Sequence, residues 1–156
     1  MIRIKRSPTA DSRTCDPMTV SKETLLKSSI EHIGDVRRAL EFFIDELHMA
    51  GVAHDVDKIG DVEGFHRDFQ GGEGFTKKAW YQNHIKVNRH HLLEPGGCPD
   101  DVNLIDVLDM VADCVMAGMA RSGDVYPFPQ EKLPELLTKA FNNTVELLKQ
   151  NVEVAE

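Results

Sequence analysis

Apolar residues return every three or four positions in several long stretches of this 156-residue chain. Such spacing matches the 3.6-residue turn of an α-helix, whereas a half-buried strand would alternate polar and apolar side chains. No segment alternates convincingly. The sequence therefore predicts an all-α fold, a compact bundle of helices. The clearest apolar stripes are Leu26, Ile30, Ile33, Leu40 and Leu47, then Ile105, Leu108, Ala112, Val115 and Met119, and finally Leu133, Leu136, Phe141, Val145 and Leu148.

Helix boundaries can be read from capping residues, glycines and prolines. Residues 60–75 contain five glycines and are expected to form a loop. Residues 1–18 are polar and turn-rich, so we expect a flexible tail followed by a single domain over 19–156. The predicted helices run from the N-cap Ser21 to Gly51, over a short segment from His54 to about Gly60, from about Thr76 to Leu93, from about Asp100 or Asp101 to Arg121, and over about 131–150.

Composition narrows the functional classes. The net charge of −8 argues against nucleic acid as the main partner, since backbone binding needs a basic face. A small phosphorylated substrate stays compatible, because a bound metal can invert the local potential. No apolar run reaches the length of a membrane span, and no secretory signal is seen at residues 1–6. The three cysteines match no disulfide or zinc pattern, so we expect a cytoplasmic location.

Adjacent His54 and Asp55 are the first indication of a metal site. Imidazole and carboxylate are the usual nitrogen and oxygen donors for zinc, manganese, iron or cobalt. His32 on the preceding helix and Asp113 on a later one would complete a set of four ligands. We expect His32 to point inward or along the border of the core. Such a site can activate water at neutral pH.

A second group of histidines follows on the helix predicted to begin near Thr76. His84 and His91 lie seven residues apart on one stripe and could hold a second metal ion, although ordinary border positions are equally compatible. Asn88 joins that side, where it could orient a histidine or bind substrate. A continuous helical period would turn His90 away by about a third of a revolution.

Together, His32, the His54–Asp55 pair and Asp113 resemble the ligand pattern of the HD-domain metal-dependent phosphohydrolases. That resemblance implies an HD-like helical bundle with the ligands on three helices. The segment HDVDK at 54–58 also matches an HDxxK variant found in part of the superfamily. In two-metal members the HD aspartate, here Asp55, bridges the ions, and two further histidines hold the second.

A closer resemblance, over most of residues 29–145, is to a family of small phage and bacterial proteins of unknown function. The family patterns HDxSK, HxxxNxHH and NLIDxxEMxxDW read here as HDVDK at 54–58, HIKVNRHH at 84–91 and NLIDVLDMVADC at 103–114. A late Asn-Thr pair stands at 143–144. The chain departs from the patterns at Asp57, Asp109 and Cys114, where the family has Ser, Glu and Trp.

We therefore predict a metal-dependent phosphohydrolase that uses one or two ions of Mn, Fe, Zn, Co or Ni. Its substrate would be a nucleotide, such as a deoxynucleotide or a signalling nucleotide, or another phosphate ester. Asp55 and Lys58 are the predicted catalytic residues, with Lys58 steadying a phosphate unless it only pairs with Asp57 or Asp61. The remaining predicted substrate contacts are Arg89, Asn88 and His90, and Asp106 and Asp109 are expected to support the site or pair with basic residues.

Two rival functions stay open at this point. A di-iron HD site can carry out oxygenase chemistry, and a binding module can keep a purely structural metal. Self-association is compatible with every reading. If the chain is phage-encoded, its location would be the host cytoplasm.

Overall fold

A computed structural model describes residues 1–16, 18–72, 74–125 and 127–155. Pro17 in the expected tail, Glu73 in the glycine-rich stretch and Tyr126 lie outside the described residues. The prediction of an all-α fold is confirmed, with one short sheet in addition. The elements are β1 (Ile2–Lys5), α1 (Lys22–Ala53), α2 (Val56–Gly60), α3 (Val62–Phe69), α4 (Ala79–Val87), α5 (Leu104–Ser122), α6 (Leu133–Gln150) and β2 (Val152–Ala155).

The chain divides into two units. The first consists of Met1–Asp45 with Glu146–Glu156, and the second is the continuous segment Glu46–Val145. Helices α1 and α6 each contribute residues to both units. In the described part of the chain, no helix has both the length and the apolar character needed to cross a bilayer.

A two-stranded parallel sheet organises the first unit. β1 pairs with β2 in a register that places Ile2 opposite Val152 and Lys5 opposite Ala155. The expectation that the chain has no strand is therefore wrong for these eight residues. Four-residue strands are too short to show a convincing alternation, and their partners are separated by almost the whole chain.

Helix α1 begins as predicted but continues past its predicted end. The hydroxyl of Ser21 accepts a hydrogen bond from the Thr24 amide at 3.2 Å, which caps the first turn. Gly51 does not end the helix, which continues to Ala53. A single glycine costs only about 1 kcal/mol relative to alanine inside a helix, so further helical hydrogen bonds can offset it.

The apolar stripe of α1 in the first unit is exposed. Leu26, Ile30, Ile33, Leu40 and Ile44 each keep at least half of their surface accessible. His32, one residue before Ile33, is exposed as well. The expectation that His32 points inward or borders the core is therefore wrong, because a helical period shows which residues share a face but not which face is covered.

The hydrophobic core lies in the second unit. It is formed by Leu92, Val102, Val107, Met110, Leu136 and Ala140. Helix α5 packs into it and starts at a capping box, in which the side chains of Asn103 and Asp106 accept each other's backbone N–H groups. The Leu104 amide donates to the Thr144 hydroxyl at 2.8 Å, which ties the start of α5 to α6. This anchoring fixes where the acidic side chains of α5 lie.

Helix α3 occupies part of the stretch that was expected to be a loop. The Asp61 carboxylate caps it by accepting from the Gly64 amide at 3.0 Å. The Phe65 ring then lies 4.5 Å from that of Trp80, measured between centroids. Glycine content alone misled the prediction, because capping and aromatic packing here outweigh the cost of one helical glycine.

Helix α4 is shorter than predicted. It starts at Ala79 and ends at Val87, and Asn88 adopts an extended conformation with φ −101° and ψ 110°. His90 and His91 therefore follow the helix rather than belong to it. Their directions cannot be inferred from a helical period.

Candidate metal centre

The site begins where α1 meets α2, at His54 and Asp55. Asp55 has φ 55° and is the only non-glycine with positive φ among the described residues. Aspartate tolerates this left-handed region better than most residues, but the conformation still stores some strain. The Asp55 amide donates to Oδ1 of Asn88 at 3.1 Å, which holds the turn in place.

One group of ligand atoms gathers around His54. It consists of His54, Asp55, His90 and Asp113, whose donor atoms all lie within 4.8 Å of one another. Nε2 of His54 lies 3.6 Å from Oδ2 of Asp55 and 3.7 Å from Oδ1 of Asp113. Three residues of the predicted four-ligand set therefore lie together.

A second group shares two members with the first. Asp55, His84, His90 and His91 also place their donor atoms within 4.8 Å of one another. Oδ1 of Asp55 lies 3.4 Å from Nε2 of His84 and 3.5 Å from Nε2 of His90. Nε2 of His91 lies 2.9 Å from Nε2 of His84. Asp55 and His90 thus stand between two adjacent sets of donors.

Two buried polar atoms at this junction lack a hydrogen-bond partner. They are Oδ1 of Asp55 and Nδ1 of His90. A buried acceptor without a partner costs roughly 1–3 kcal/mol, so such atoms usually have a partner that the protein alone does not supply. A divalent cation fits this position, because imidazole nitrogens and carboxylate oxygens surround it. The cluster could therefore hold a metal ion.

Carboxylates behind the histidines fix their orientation. Nδ1 of His54 lies 2.8 Å from Oδ1 of Asp109, and Nδ1 of His84 lies 2.8 Å from Oδ2 of Asp57. Nδ1 of His84 also lies 2.9 Å from Nδ2 of Asn88. An ionised carboxylate only accepts, so the two carboxylate contacts favour the tautomer with the proton on Nδ1 and leave Nε2 free for a metal. This is the arrangement that histidine ligands generally use.

Asn88 connects the two halves of the site. Its Oδ1 accepts from the Asp55 amide, while its Nδ2 donates to Oδ1 of Asp57 at 2.9 Å. Nδ2 also donates to the His84 carbonyl at 3.0 Å. A single buried amide therefore positions one ligand directly and another through Asp57.

The protonation states favour a cation. Burial, followed by the nearby His90 and His84, lowers the pKa of His91 to about 4. Burial and His54 likewise lower the pKa of His90. Both imidazoles are therefore neutral at pH 7, as metal ligation requires.

The Asp55 and Asp57 carboxylates are ionised at the same pH. Burial raises the pKa of Asp55, but the hydrogen bond and charge of Lys58 outweigh it, so the pKa lies below its usual value. Burial also raises the pKa of Asp57, and hydrogen bonds from His84 and Asn88 again reverse the direction. The site therefore presents negative charge next to neutral imidazoles.

Lys58 lies at the edge of the site. Its ammonium pairs with Oδ2 of Asp55, one turn away, rather than with the Asp57 or Asp61 carboxylates considered from the sequence. The Lys58 side chain keeps 37% of its surface exposed. The lysine can thus contact both a ligand residue and a molecule arriving from solvent.

Arg89, another predicted substrate contact, pairs with two aspartates that belong to neither ligand group. Its guanidinium makes two hydrogen bonds to Asp106, at 2.7 and 2.8 Å, and reaches Asp101 at 3.1 Å. The Asp106 hydrogen bonds raise the pKa of Arg89 far above its usual value. Arg89 therefore joins the end of α4 to the start of α5. Asp106 pairs with a basic residue, which is one of the two roles predicted for it from the sequence.

His32 belongs to the first unit and to neither group of donors. It lines a cavity of about 280 Å³ together with Arg3, Lys5, Ser28 and Arg38. By contrast, His90 belongs to both groups. The expectation that His90 is turned away is wrong, because the helical period was extended beyond Val87, where α4 ends.

Sequence reasoning missed the role of Asp57 behind His84. The two residues are 27 positions apart, and no local pattern pairs them. From the sequence, Asp57 is only a possible partner of Lys58 and a departure from the family pattern. The pairing emerges only once α2 and α4 lie against each other.

No protein-family model, curated protein or solved structure matches this chain. The site is therefore characterised by its own geometry. It is a partly buried cluster of histidines and aspartates, in two overlapping groups, that could hold a metal ion.

Proposed function

We propose that this protein is a metal-dependent phosphohydrolase acting on a nucleotide or a related phosphate ester. The observation that carries the proposal is the overlap of two ligand groups at Asp55 and His90, with the Lys58 ammonium beside Asp55. The resemblance of the sequence to HD-domain phosphohydrolases points to the same chemistry. One or two divalent transition-metal ions, of Mn, Fe, Zn, Co or Ni, suit the donor set.

Six side chains would hold the metal. Asp55 and His90 belong to both groups, His54 and Asp113 to one, and His84 and His91 to the other. A divalent ion bound there supplies Lewis acidity, which polarises a phosphoryl oxygen and lowers the pKa of a bound water. The contacts of Asp109 with His54 and of Asp57 with His84 orient these two imidazoles, which limits rearrangement when a metal binds.

Lys58 is the residue assigned to the phosphate. Its ammonium is the cation that pairs with Asp55, and the side chain is open enough to meet an incoming ester. A fixed positive charge there would stabilise negative charge that develops on phosphoryl oxygens in the transition state. Arg89 is assigned a structural part instead, because Asp106 and Asp101 occupy its guanidinium.

Proton donation to the leaving group needs a separate source. His91, whose pKa is lowered to about 4, is a neutral imidazole at pH 7 and lacks the acidic proton of an imidazolium. His90 is buried and its pKa is lowered in the same way. We therefore assign both histidines to ligation, and we expect substrates whose leaving group departs without help from an imidazolium.

A second candidate is a non-catalytic module with a structural metal. Asp55, His84, His90 and His91 supply four donors, the number that closes a tetrahedral zinc shell. A closed shell leaves no position for water or substrate. This candidate predicts one tightly held zinc ion and no turnover.

A cytoplasmic location is part of the proposal. Cys15, Cys98 and Cys114 are all free thiols, as expected of a reducing compartment. The first candidate does not depend on this location, but its nucleotide substrates are abundant there.

The deciding experiment combines metal analysis with phosphate release. Purified protein is analysed for metals and then assayed against nucleoside mono- and triphosphates. Asp55→Asn should lose metal and activity together, because it removes the carboxylate shared by both groups. Lys58→Ala should keep its metal and lose about 10²–10³ in rate, because a preorganised charge rather than a ligand is removed.

Lys77→Ala is the matched control. Lys77 is an exposed lysine at the start of the segment leading into α4 and belongs to neither group, so this variant should behave as wild type. Full activity in folded, metal-free Asp55→Asn protein would refute the proposal. Zinc retention without any phosphate release would favour the structural module, whereas bound iron with oxygen-dependent turnover would favour the oxygenase.

A further inference from the structure

A seven-residue repeat runs along α1 in the first unit. Leu26, Ile30 and Ile33 are spaced by four and three residues, and Leu40 and Ile44 continue the series after Arg37. Alternating steps of three and four keep one seam on one side of a helix. The repeat covers 19 residues, just under three heptads, with Arg37 at one of its six seam positions.

The seam is uncovered. Its five apolar members, Leu26, Ile30, Ile33, Leu40 and Ile44, are 50–63% exposed. Isolated exposed apolar residues are ordinary, but a row of them along one side of a helix, here interrupted by Arg37, marks an interaction surface. The opposite side of the helix is the covered one, with Ser28 buried and Asp35 and Phe42 half-buried.

We propose that this seam packs against the same seam of a second copy of the chain, in antiparallel orientation. A heptad seam selects a helical partner, because each apolar side chain inserts between four residues of a facing helix. A second copy supplies a seam of the same length and spacing. The proposal does not depend on the function assigned above.

Arg37 favours the antiparallel orientation. It occupies a position within the seam, between Ile33 and Leu40. A parallel pair in register would place Arg37 opposite Arg37 of the partner, and like charges that face each other cost free energy. An antiparallel pair can place Arg37 opposite an apolar residue instead.

A register follows from the same spacing. With Leu26 opposite Ile44 and Ile30 opposite Leu40, the third layer places Ile33 opposite Arg37. The aliphatic stem of Arg37 can cover Ile33 while its guanidinium stays in water. In this register Lys27 of one copy lies near Glu41 of the other, so the flanking charges match the seam.

The test measures the mass of the full chain in solution. Sedimentation equilibrium over a wide range of protein concentration should give a species of twice the mass of one chain. Ile30→Glu should raise the dissociation constant by on the order of a hundredfold, since it places an unpaired charge opposite Leu40 inside the interface. Circular dichroism should stay helical, because Ile30 is 62% exposed in the single chain.

Met49→Glu is the matched control. Met49 lies on the same helix, is 58% exposed, and falls seven residues after Phe42, off the seam. It should leave association unchanged. A chain that stays monomeric at every concentration would overturn the proposal, as would equal weakening by both glutamates.

Disulfide cross-linking tests the antiparallel orientation of the two helices. In a background with Cys15, Cys98 and Cys114 replaced by serine, Leu26→Cys is mixed with Ile44→Cys under oxidising conditions. The antiparallel register predicts disulfide-linked dimers between the two variants and little cross-linking of Leu26→Cys with itself. Self-cross-linking of Leu26→Cys in preference to the mixed pair would overturn the orientation.

Discussion

Oδ2 of Asp57 lies 2.8 Å from Nδ1 of His84, on the far side of the ring from the ligand cluster. Asp57 belongs to neither group of donors, yet it decides which ring nitrogen of His84 faces Asp55. Residues that orient a metal ligand in this way typically change metal affinity by about 10–100-fold. Metal binding at this site is therefore expected to depend on Asp57 as well as on the donor residues.

Asp57→Asn should weaken metal binding by about 10–100-fold while the protein stays folded. The amide keeps the shape of the side chain but no longer demands a proton on Nδ1. Titration calorimetry with Mn²⁺ or Zn²⁺ measures the change. Asp100→Asn, at an exposed carboxylate paired with Lys139, is the control, and equal affinities in the two variants would contradict the role of Asp57.

His90 and His91 should differ in their effect on metal content. His90 belongs to both groups, whereas His91 belongs to one. His90→Ala should therefore reduce the bound metal more than His91→Ala, which leaves the His54 group complete. Elemental analysis after saturation and desalting decides between them. Greater loss in His91→Ala would show that the His54 group does not bind on its own.

Asp55→Gly should be more stable than Asp55→Ala. Both remove the carboxylate, but the backbone at this position has φ 55°. Alanine in the left-handed region costs about 1–2 kcal/mol, and glycine adopts it freely. Thermal unfolding of both metal-free variants measures the difference. Equal stabilities would mean that the turn relaxes when the carboxylate is lost.

The metal-free protein should lose stability as the pH falls from about 6.5 to about 4. The pKa of His91 is about 4 in the folded protein, against 6.5 for an unperturbed histidine. In that interval the unfolded chain binds a proton that the folded chain does not, so acid favours unfolding. Below both values this contribution is fully lost, and above pH 6.5 it is fully present.

Thermal unfolding in the presence of a chelator, recorded between pH 7 and pH 4, tests this dependence. His91→Asn should flatten the curve, because the titrating group is gone. An unchanged slope in His91→Asn would assign the pH dependence to other groups.

Much of the site could be predicted from local sequence. His54, Asp55 and Asp113 were identified from an adjacent pair and from a helical aspartate, and they lie together. The pairing of Asp57 with His84 could not be predicted, because it depends on how two short helices pack. The direction of His90 was predicted wrongly for a related reason. The extended backbone of Asn88 changes the direction of the chain after α4, so the side chains that follow do not continue the helical period.

Parts of the fold could likewise be predicted from the sequence, and other parts could not. Long helices with strong apolar periods were predicted in the right places, because their stripes extend over several turns. Helix α3 was missed, since its eight residues contain a glycine and are stabilised by contacts with Trp80. The exposed seam of α1 was also not foreseen, because periodicity alone does not say whether a neighbour from the same chain covers a face.

The pairing of Ile2 with Val152 also bears on the order in which the chain folds. Residues 46–145 form the second unit from one continuous segment, so its contacts join residues that lie closer in sequence. Strand β1 pairs with residues 152–155, almost a whole chain length away. Contacts of such wide sequence separation form slowly. We therefore expect the sheet of the first unit to form after the helices of the second unit.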